Sequence, residues 1–430
     1  MPPPSRAGLL RDPDFRHLFA ATATGQLGDR FVFLALPLIA IVSLDVSEFE
    51  VGVLTAMTTA GSLLAGLPAG AWVDRWRKRS VLINTDLARA VLLALIPVLW
   101  WADALTIWLL YAVALAHGLF TVFFDVAYVS YLPFLVGRDN LVEANAKVAS
   151  VRSAVSISGP GLAGPLVAWL GAPLTLLASS VGMAFSGLLV ARIRKRETRR
   201  RADPSRHLLR EVREGLSFVL GNPLLRPVVV ADGMFSLFLV TYQTMLLVFL
   251  SREVGLGSFG IGLVLSAMAC GGLTGALVAR RVVARIGTGP VIWMAPLCTA
   301  PPAALMPLAE PGWRLYLAVF GLMLLSTGGV IRLVAQAGLQ QSVTPDRLLG
   351  RMNATFRFVI WGSMPLAGLL GGALGTLLGA EAVLWIGAVG MTAAFLPTLF
   401  SPLRTMRELP ITEPESPPAD REKPTPQPAG

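Results

Sequence analysis

The strings GAWVDRWRKRS (Gly70–Ser80) and GALVARRVVAR (Gly275–Arg285) lie 205 residues apart, and each ends an apolar run in a group of basic side chains. Outward from either string the chain repeats one pattern, an apolar run and then a short polar break. The same offset maps Gly70 onto Gly275, Arg75 onto Arg280, Arg152 onto Arg357 and Pro160 onto Pro365. Four coincidences at one offset indicate an internal duplication, with Ala279 standing where the first copy has Asp74.

Composition agrees with that pattern. Of 430 residues 54% are hydrophobic and only 14% charged, which is too apolar for a soluble globular chain of this length. The net charge of +10 sits in short clusters between apolar spans, so it marks loops rather than a nucleic-acid surface. Cys270 and Cys298 both fall in apolar stretches and suggest neither a disulfide framework nor a metal site. The N-terminal segment MPPPSRAGLLRDPDFRHL has no short apolar core or cleavage site of a signal peptide, so the first span is expected to be an uncleaved helix.

A window of about 19 residues, the length that crosses a hydrocarbon core of about 30 Å, gives about twelve spans. They lie near 17–43, 51–73, 80–101, 105–127, 143–170, 172–190, 226–249, 258–281, 288–309, 313–336, 352–378 and 380–400. Assigning alternate loops to opposite sides puts 29 of the 36 basic residues on one side. The other side holds two, Arg252 and Arg314, among the acids Asp45, Glu48, Glu50, Asp103, Glu253, Glu310 and Glu381. Lys and Arg mark the cytoplasmic face, so both termini are expected there, in a cell inner or plasma membrane. The expected organisation is a cytoplasmic segment 1–16, a six-helix bundle 17–190, a basic linker 191–225, a second bundle 226–400 and a disordered Pro-rich tail 401–430. The linker segment HLLREVREGLSFVL is amphipathic and suits an anionic inner leaflet.

The fold class expected is therefore an all-α membrane protein, with twelve transmembrane helices in two pseudo-symmetric six-helix bundles. Along nearly its whole length the chain resembles the major facilitator superfamily. GAWVDRWRKRS resembles the family's loop motif G-x-L-x-D-R-x-G-R-K. The resemblance implies that Gly70 permits close helix packing, and that Asp74, Arg75, Lys78 and Arg79 form a charge cluster linking the halves in one conformation. Arg77 replaces the usual Gly. SISGPGLAG resembles the superfamily's antiporter motif, carried here by Gly159, Pro160, Gly161 and Gly164; an ordinary small-residue packing seam is the alternative. FFDVAYVSYLPFLVGRDNLVEANAKVASVRS, REGLSFVLGNPLLRP and PDRLLGRMNATFRF resemble the drug:proton antiporter-3 branch, which includes macrolide-efflux and siderophore-export members. An Arg common in the fourth helix of many drug antiporters is absent, with Ala114 at that position and His117 three residues on.

A charge at a helix centre costs about 2.5 to 3.5 kcal/mol on insertion scales, so each intramembrane ionisable group is a functional candidate. Asp29 lies twelve residues into the first span, roughly 18 Å deep at 1.5 Å per residue. The resemblance puts spans 1, 4, 7 and 10 around a central cavity, and these carry Asp29 with Arg30, His117 with Asp125, Asp232, and Arg332. Asp29, Asp232 and His117 are the proton-coupling candidates; permanent pairing of Asp29 with Arg30, Arg152 or another base is the alternative. Asp86 and Arg89 are expected to pair along one helix face, Asp125 to serve as a gate or structural contact, and Arg152, Arg332 and Arg357 to be charge partners. Phe33, Tyr128, Phe235, Tyr242 and Met245 are candidates for the substrate cavity.

The expected activity is proton-coupled export of amphipathic small molecules, as in multidrug efflux and antibiotic resistance, by a monomer without cofactor or metal. There is no Walker A string, and the three histidines His17, His117 and His207 are scattered, which speaks against an ATP-driven pump and an embedded metalloenzyme. Transport of one dedicated metabolite such as a siderophore, and a non-transporting sensor, remain as alternatives.

Overall fold

A backbone in hydrocarbon must satisfy its own hydrogen bonds, and the described residues of this chain do so with helices. The computed structural model describes residues 8–66, 68–195, 197 and 208–406; the side chains of Pro68, Ala71, Asp74, 208–212 and Asp346 fall outside that description. In order the helices are α1 (Pro13–Leu38, prolonged by a π turn Ile39–Ser43), α2 (Glu48–Ala65), α3 (Pro68–Arg75), α4 (Lys78–Trp101), α5 (Ile107–Val136), α6 (Leu141–Leu170) and α7 (Ala172–Ala191). Then come α8 (Leu208–Gly221), α9 (Leu225–Val248, with a π turn Phe249–Glu253), α10 (Ser258–Ile286), α11 (Thr288–Thr299), α12 (Trp313–Val343), α13 (Asp346–Leu378), α14 (Ala380–Ala393) and α15 (Leu396–Leu399). Among the described residues ten helices are long and apolar enough to cross a membrane. The two remaining apolar stretches are interrupted. The stretch 51–73 is divided between α2 and α3, which starts at Pro68, and 288–309 ends α11 at Thr299 and continues as a 3-10 turn Pro301–Leu305. A proline removes a backbone donor and crowds the preceding turn, which accounts for both breaks.

The repeat is visible in the packing. Helix α2 begins at Glu48 and α10 at Ser258, α4 at Lys78 and α11 at Thr288, an offset of 210, whereas α6 and α13 begin 205 apart at Leu141 and Asp346. The register inferred from GAWVDRWRKRS therefore needs correction. The structural counterpart of Asp74 is Ala284 rather than Ala279, and that of Arg75 is Arg285. Glycines confirm the register: Gly61 of α2 packs on the backbone of Gly118 and Leu119, as Gly271 of α10 does on Met323.

Helices α1 to α7 pack mainly on one another, as do α9 to α14, and the two sets meet through α2 against α13 and α6 against α10. Both seams use glycine. A Cβ on Gly52 would stand 2.5 Å from the Cα of Gly372, and one on Gly262 would stand 2.6 Å from the Pro160 carbonyl oxygen. Toward the loops rich in acids, buried apolar side chains from both sets fuse into one cluster, from Phe31 and Leu54 to Phe249 and Leu384. Toward the basic loops they separate into two, one around Phe15, Leu82 and Tyr131, the other around Val228, Leu339 and Phe356. The molecule is thus joined at its acidic end and divided at its basic end.

Three contacts fasten the acidic end. Arg252, beyond α9, donates to Glu48 Oε1 at 3.0 Å, to Asp45 Oδ1 at 3.1 Å and to the Val46 carbonyl at 2.7 Å. Asp45 has φ +46° where its repeat counterpart is Gly255 at +73°, so a non-glycine residue occupies a conformation that favours glycine. Ser47 and Glu50 form a capping box that starts α2 beside the latch.

The amphipathic linker helix α8 lies against α13 and α9. Glu214 pairs with Arg351, and Gly215 fits closely on the backbone of Arg351. Part of the linker (Arg196, 198–207) and the tail from 407 lie outside the described residues.

Candidate functional site

Midway along the first set of helices, four of them supply one charged network. Asp86 and Arg89, three residues apart on α4, are 0% and 1% exposed and bonded to each other; Ser186 of α7 donates to the second oxygen of Asp86 at 2.6 Å. Arg89 also reaches Asp29 of α1 and Thr121 of α5, both at 3.4 Å, and its guanidinium lies 4.7 Å from the centre of the Phe124 ring. His117 Nε2 is 3.7 Å from the same oxygen of Asp29 and has no hydrogen-bond partner among the described residues. Arg89 therefore stands between two carboxylates. Only Asp29 keeps contact with water, at 28% side-chain exposure. Its base is Arg89, not Arg30 or Arg152; the Arg30 stem packs instead against Gly159.

The second set carries a simpler pair. Asp232 of α9 accepts from Arg332 and Gln336 of α12, and Arg332 lies 4.6 Å over the Phe235 ring. Asp232 is 3% exposed and is the one carboxylate bonded to Arg332 among the described residues. The two halves thus carry different charge networks, α1–α4–α5 in one and α9–α12 in the other.

Below these networks the cleft opens toward the basic end. A cavity of about 200 Å³ is lined by Ser62, Leu63, Val126, Asn353, Arg357 and Trp361, from α2, α5 and α13. Arg152 lies 5.6 Å over Tyr128, and Arg357 lies 5.6 Å over Trp361. Asp125 is exposed here, within electrostatic reach of both arginines.

Other expected residues fall elsewhere. Tyr242 and Met245 are fully buried in the apolar core, with Tyr242 donating to the Ala303 carbonyl at 3.0 Å, so neither lines a cavity in this conformation. Tyr128, though mostly buried, lines a recess between α5 and α6 together with Arg152, whereas Phe235 is buried beneath Arg332 and Phe33 is about half exposed. A Cβ on Gly70 would meet none of the described residues within 4 Å, so close packing against them does not explain that glycine. Lys78 pairs with Glu197, just beyond α7, at 3.4 Å, and Arg79 donates to the Val190 and Ala191 carbonyls at the end of α7, so both hold α4 to the chain leaving the same set of helices. In this conformation they do not link the halves. Arg75 is exposed, and the Asp74 side chain lies outside the described residues. Arg77 takes an extended conformation, φ −72°, which needs no glycine. In the α6 motif, Gly161 faces Ser266 and Gly164 faces Ser258, both across the seam to α10. Ser186, Thr121, Gln336 and the Arg252 latch are absent from the sequence-based candidates. Thr121 and Gln336 each lie four residues beyond a candidate on its own helix, and Arg252 is a rare base among acids; Ser186 carries no comparable signal.

The chain matches the transmembrane secretion effector family over residues 5–422. It is 27% identical over 406 residues to the multidrug efflux pump Tap of Mycolicibacterium fortuitum, which spans 90% of this chain and 97% of that one. With the enterobactin exporter EntS of Citrobacter koseri it shares 26% identity over 425 residues, 94% and 95% of the two chains. The crystal structure of a bacterial homologue of the iron transporter ferroportin in its inward-facing state superposes with a TM-score of 0.71 at 16% identity, over 91% of this chain and 98% of that one. An outward-facing structure of such a homologue gives 0.57 at 18% identity, over 90% and 98%. The fold is thus shared, with the higher score on the state open to the inside. The chain belongs to the transmembrane secretion effector family of the major facilitator superfamily, whose members are transporters and not enzymes.

Proposed function

We propose that the protein is a proton-coupled exporter of amphipathic small molecules that works by alternating access, with twelve spans in two six-helix halves. Its basic end and both termini lie in the cytoplasm, in a cell inner or plasma membrane, and it acts as a monomer. The conformation described has the outer end closed by the glycine seams and the Arg252 latch, and the inner end open. The relatives Tap and EntS support export as the direction.

The observation that carries proton coupling is the unequal sharing of Arg89. Breaking a buried ion pair by removing one partner costs about 3 to 5 kcal/mol, because a charge is left uncompensated. Asp86 holds Arg89 wherever the proton on Asp29 is, so Asp29 can gain or lose a proton without stranding a buried guanidinium. Neutral Asp29 can turn to the unpartnered His117 Nε2; ionised Asp29 returns to Arg89. Protonating Asp232 would instead leave Arg332 unpaired, which makes that pair a structural clamp between α9 and α12. The coupling site is therefore Asp29, with His117 as its alternate partner.

Inside-out vesicles carrying the full chain test the direction. Gradient-dependent accumulation of several amphipathic dyes, abolished by collapsing the proton gradient, is the expected result; accumulation of a single metabolite would favour a dedicated exporter, the reading to which EntS points. No gradient-dependent movement of any compound would overturn both.

A further inference from the structure

The exporter assignment leaves open what the cleft accepts, and two arginines bear on that. We infer that the cleft binds an organic anion with a flat apolar body, its anionic group seated between Arg152 and Arg357; this rests on the exporter assignment. The two are repeat equivalents at an offset of 205, one on α6 and one on α13, so a ligand bridging them touches both halves. A ligand must do so if its release is to follow from their relative movement.

Both arginines are exposed although they lie within membrane-spanning helices. Each stacks on an aromatic ring at 5.6 Å, Tyr128 for Arg152 and Trp361 for Arg357. Stacking occupies the face of a guanidinium and leaves its in-plane donors free for a bidentate anion. Neither makes an ion pair within 4.0 Å among the described residues. Of the other intramembrane arginines described, Arg89 is paired with Asp86 and Asp29 and Arg332 with Asp232, while Arg30 lies only in the field of Asp29. Among the described residues Asp125 is the carboxylate within electrostatic reach of both exposed arginines, and it is also within reach of Arg89. One positive charge is thus left over at the open cleft. Asn353 offers a further donor beside Arg357, and Trp361 and Phe358 form an apolar wall of the 200 Å³ cavity; Arg152 lines a neighbouring recess with Tyr128 and Asn145, so the ligand must reach from one to the other. A cation entering there would face net repulsion, and an anion would complete the charge balance.

Two probes with one body and opposite charge decide the matter: naphthalene-2-sulfonate and 2-naphthyl-trimethylammonium, titrated calorimetrically against the full chain in nanodiscs of neutral lipid, without a gradient. The sulfonate is expected to bind at least about tenfold tighter than the ammonium. Arg152→Gln and Arg357→Gln are each expected to weaken it at least about tenfold, the scale of one charge-assisted hydrogen-bonded partner. Asn353→Asp keeps both arginines and adds a negative charge, so it guards against mere misfolding; it too should weaken the sulfonate, and strengthen the ammonium. The inference is overturned if the ammonium binds as tightly as the sulfonate, if neither binds, or if the sulfonate affinity is unmoved by all three substitutions. Sulfonate binding that behaves as expected, with no gradient-driven flux in proteoliposomes, would instead refute the exporter assignment and leave the site standing.

Discussion

Replacing Arg252 by alanine should open the acidic end. The side chains of Arg252 and Glu48 are each 29% exposed, whereas that of Asp45 is 93% exposed, so the two ion pairs differ in worth. The Asp45 pair is screened by water and contributes at most about 0.2 to 1 kcal/mol. The Glu48 pair and the hydrogen bond to the Val46 carbonyl together add about 1 kcal/mol. All three cross from one half to the other, and all three must break when that end opens. Their loss shifts the equilibrium between the two states by about 1 to 2 kcal/mol, a factor of about 5 to 30. Nitroxide labels on Ala104→Cys and Glu310→Cys, in a chain freed of Cys270 and Cys298, report the separation of the halves at that end by electron–electron resonance. The longer distance should gain population in Arg252→Ala. The gain should shrink at high salt, where the wild-type latch is itself weakened. Unchanged distance distributions would refute the latch, as would a charge-swapped Arg252→Glu with Asp45→Arg and Glu48→Arg that failed to restore the closed end.

Gly52→Leu places a side chain where Gly372 Cα and the Gly368 carbonyl already stand, and so should favour the state open at the acidic end and lower transport severely; the same label pair would record it, and a closed acidic end in this variant would contradict the glycine seam. Asp232→Asn should cost several kcal/mol by stranding Arg332, lowering the thermal unfolding temperature of purified protein, while Asp29→Asn should leave it near wild type because Asp86 still holds Arg89. Equal losses in the two variants would contradict the division of roles. If an organic anion leaves while a proton enters, an inside-negative potential should speed export; each charge crossing 100 mV gains about 2.3 kcal/mol, so flux indifferent to a potassium-diffusion potential would argue against that pairing.

Much of this architecture was legible in the residues, because the bilayer imposes a length on every span and a charge bias on every loop. The helix starts at Lys78, Leu141, Ala172, Ser258 and Trp313 lie within a few residues of the hydropathy limits. The interruptions at Pro68 and Pro301 were harder to place, since Pro97, Pro133, Pro160 and Pro365 sit inside unbroken helices. Whether a proline ends a helix depends on what neighbouring helices supply to the freed carbonyl. The repeat was visible, but its register drifted by five residues near Gly70, because loops of unequal length separate equivalent helices. Intramembrane charges were legible as a list and not as pairs. Nothing local to Asp29 shows that its base is on α4, and nothing near Asp86 points to Ser186 a hundred residues on. Tyr242 could equally have faced the cavity or the core, and only the packing of α9 on α14 and the 3-10 turn decides it.

Asp29 is proposed to be the one carboxylate that carries the coupled proton. Proteoliposomes holding the full chain and an enclosed pH indicator measure it directly, with substrate added to the outside of a chain oriented basic end outward. Substrate-induced proton movement is expected in wild type and in Asp232→Asn protein that remains folded, and none in Asp29→Asn, whose substrate binding persists. Undiminished proton movement in Asp29→Asn would contradict that role.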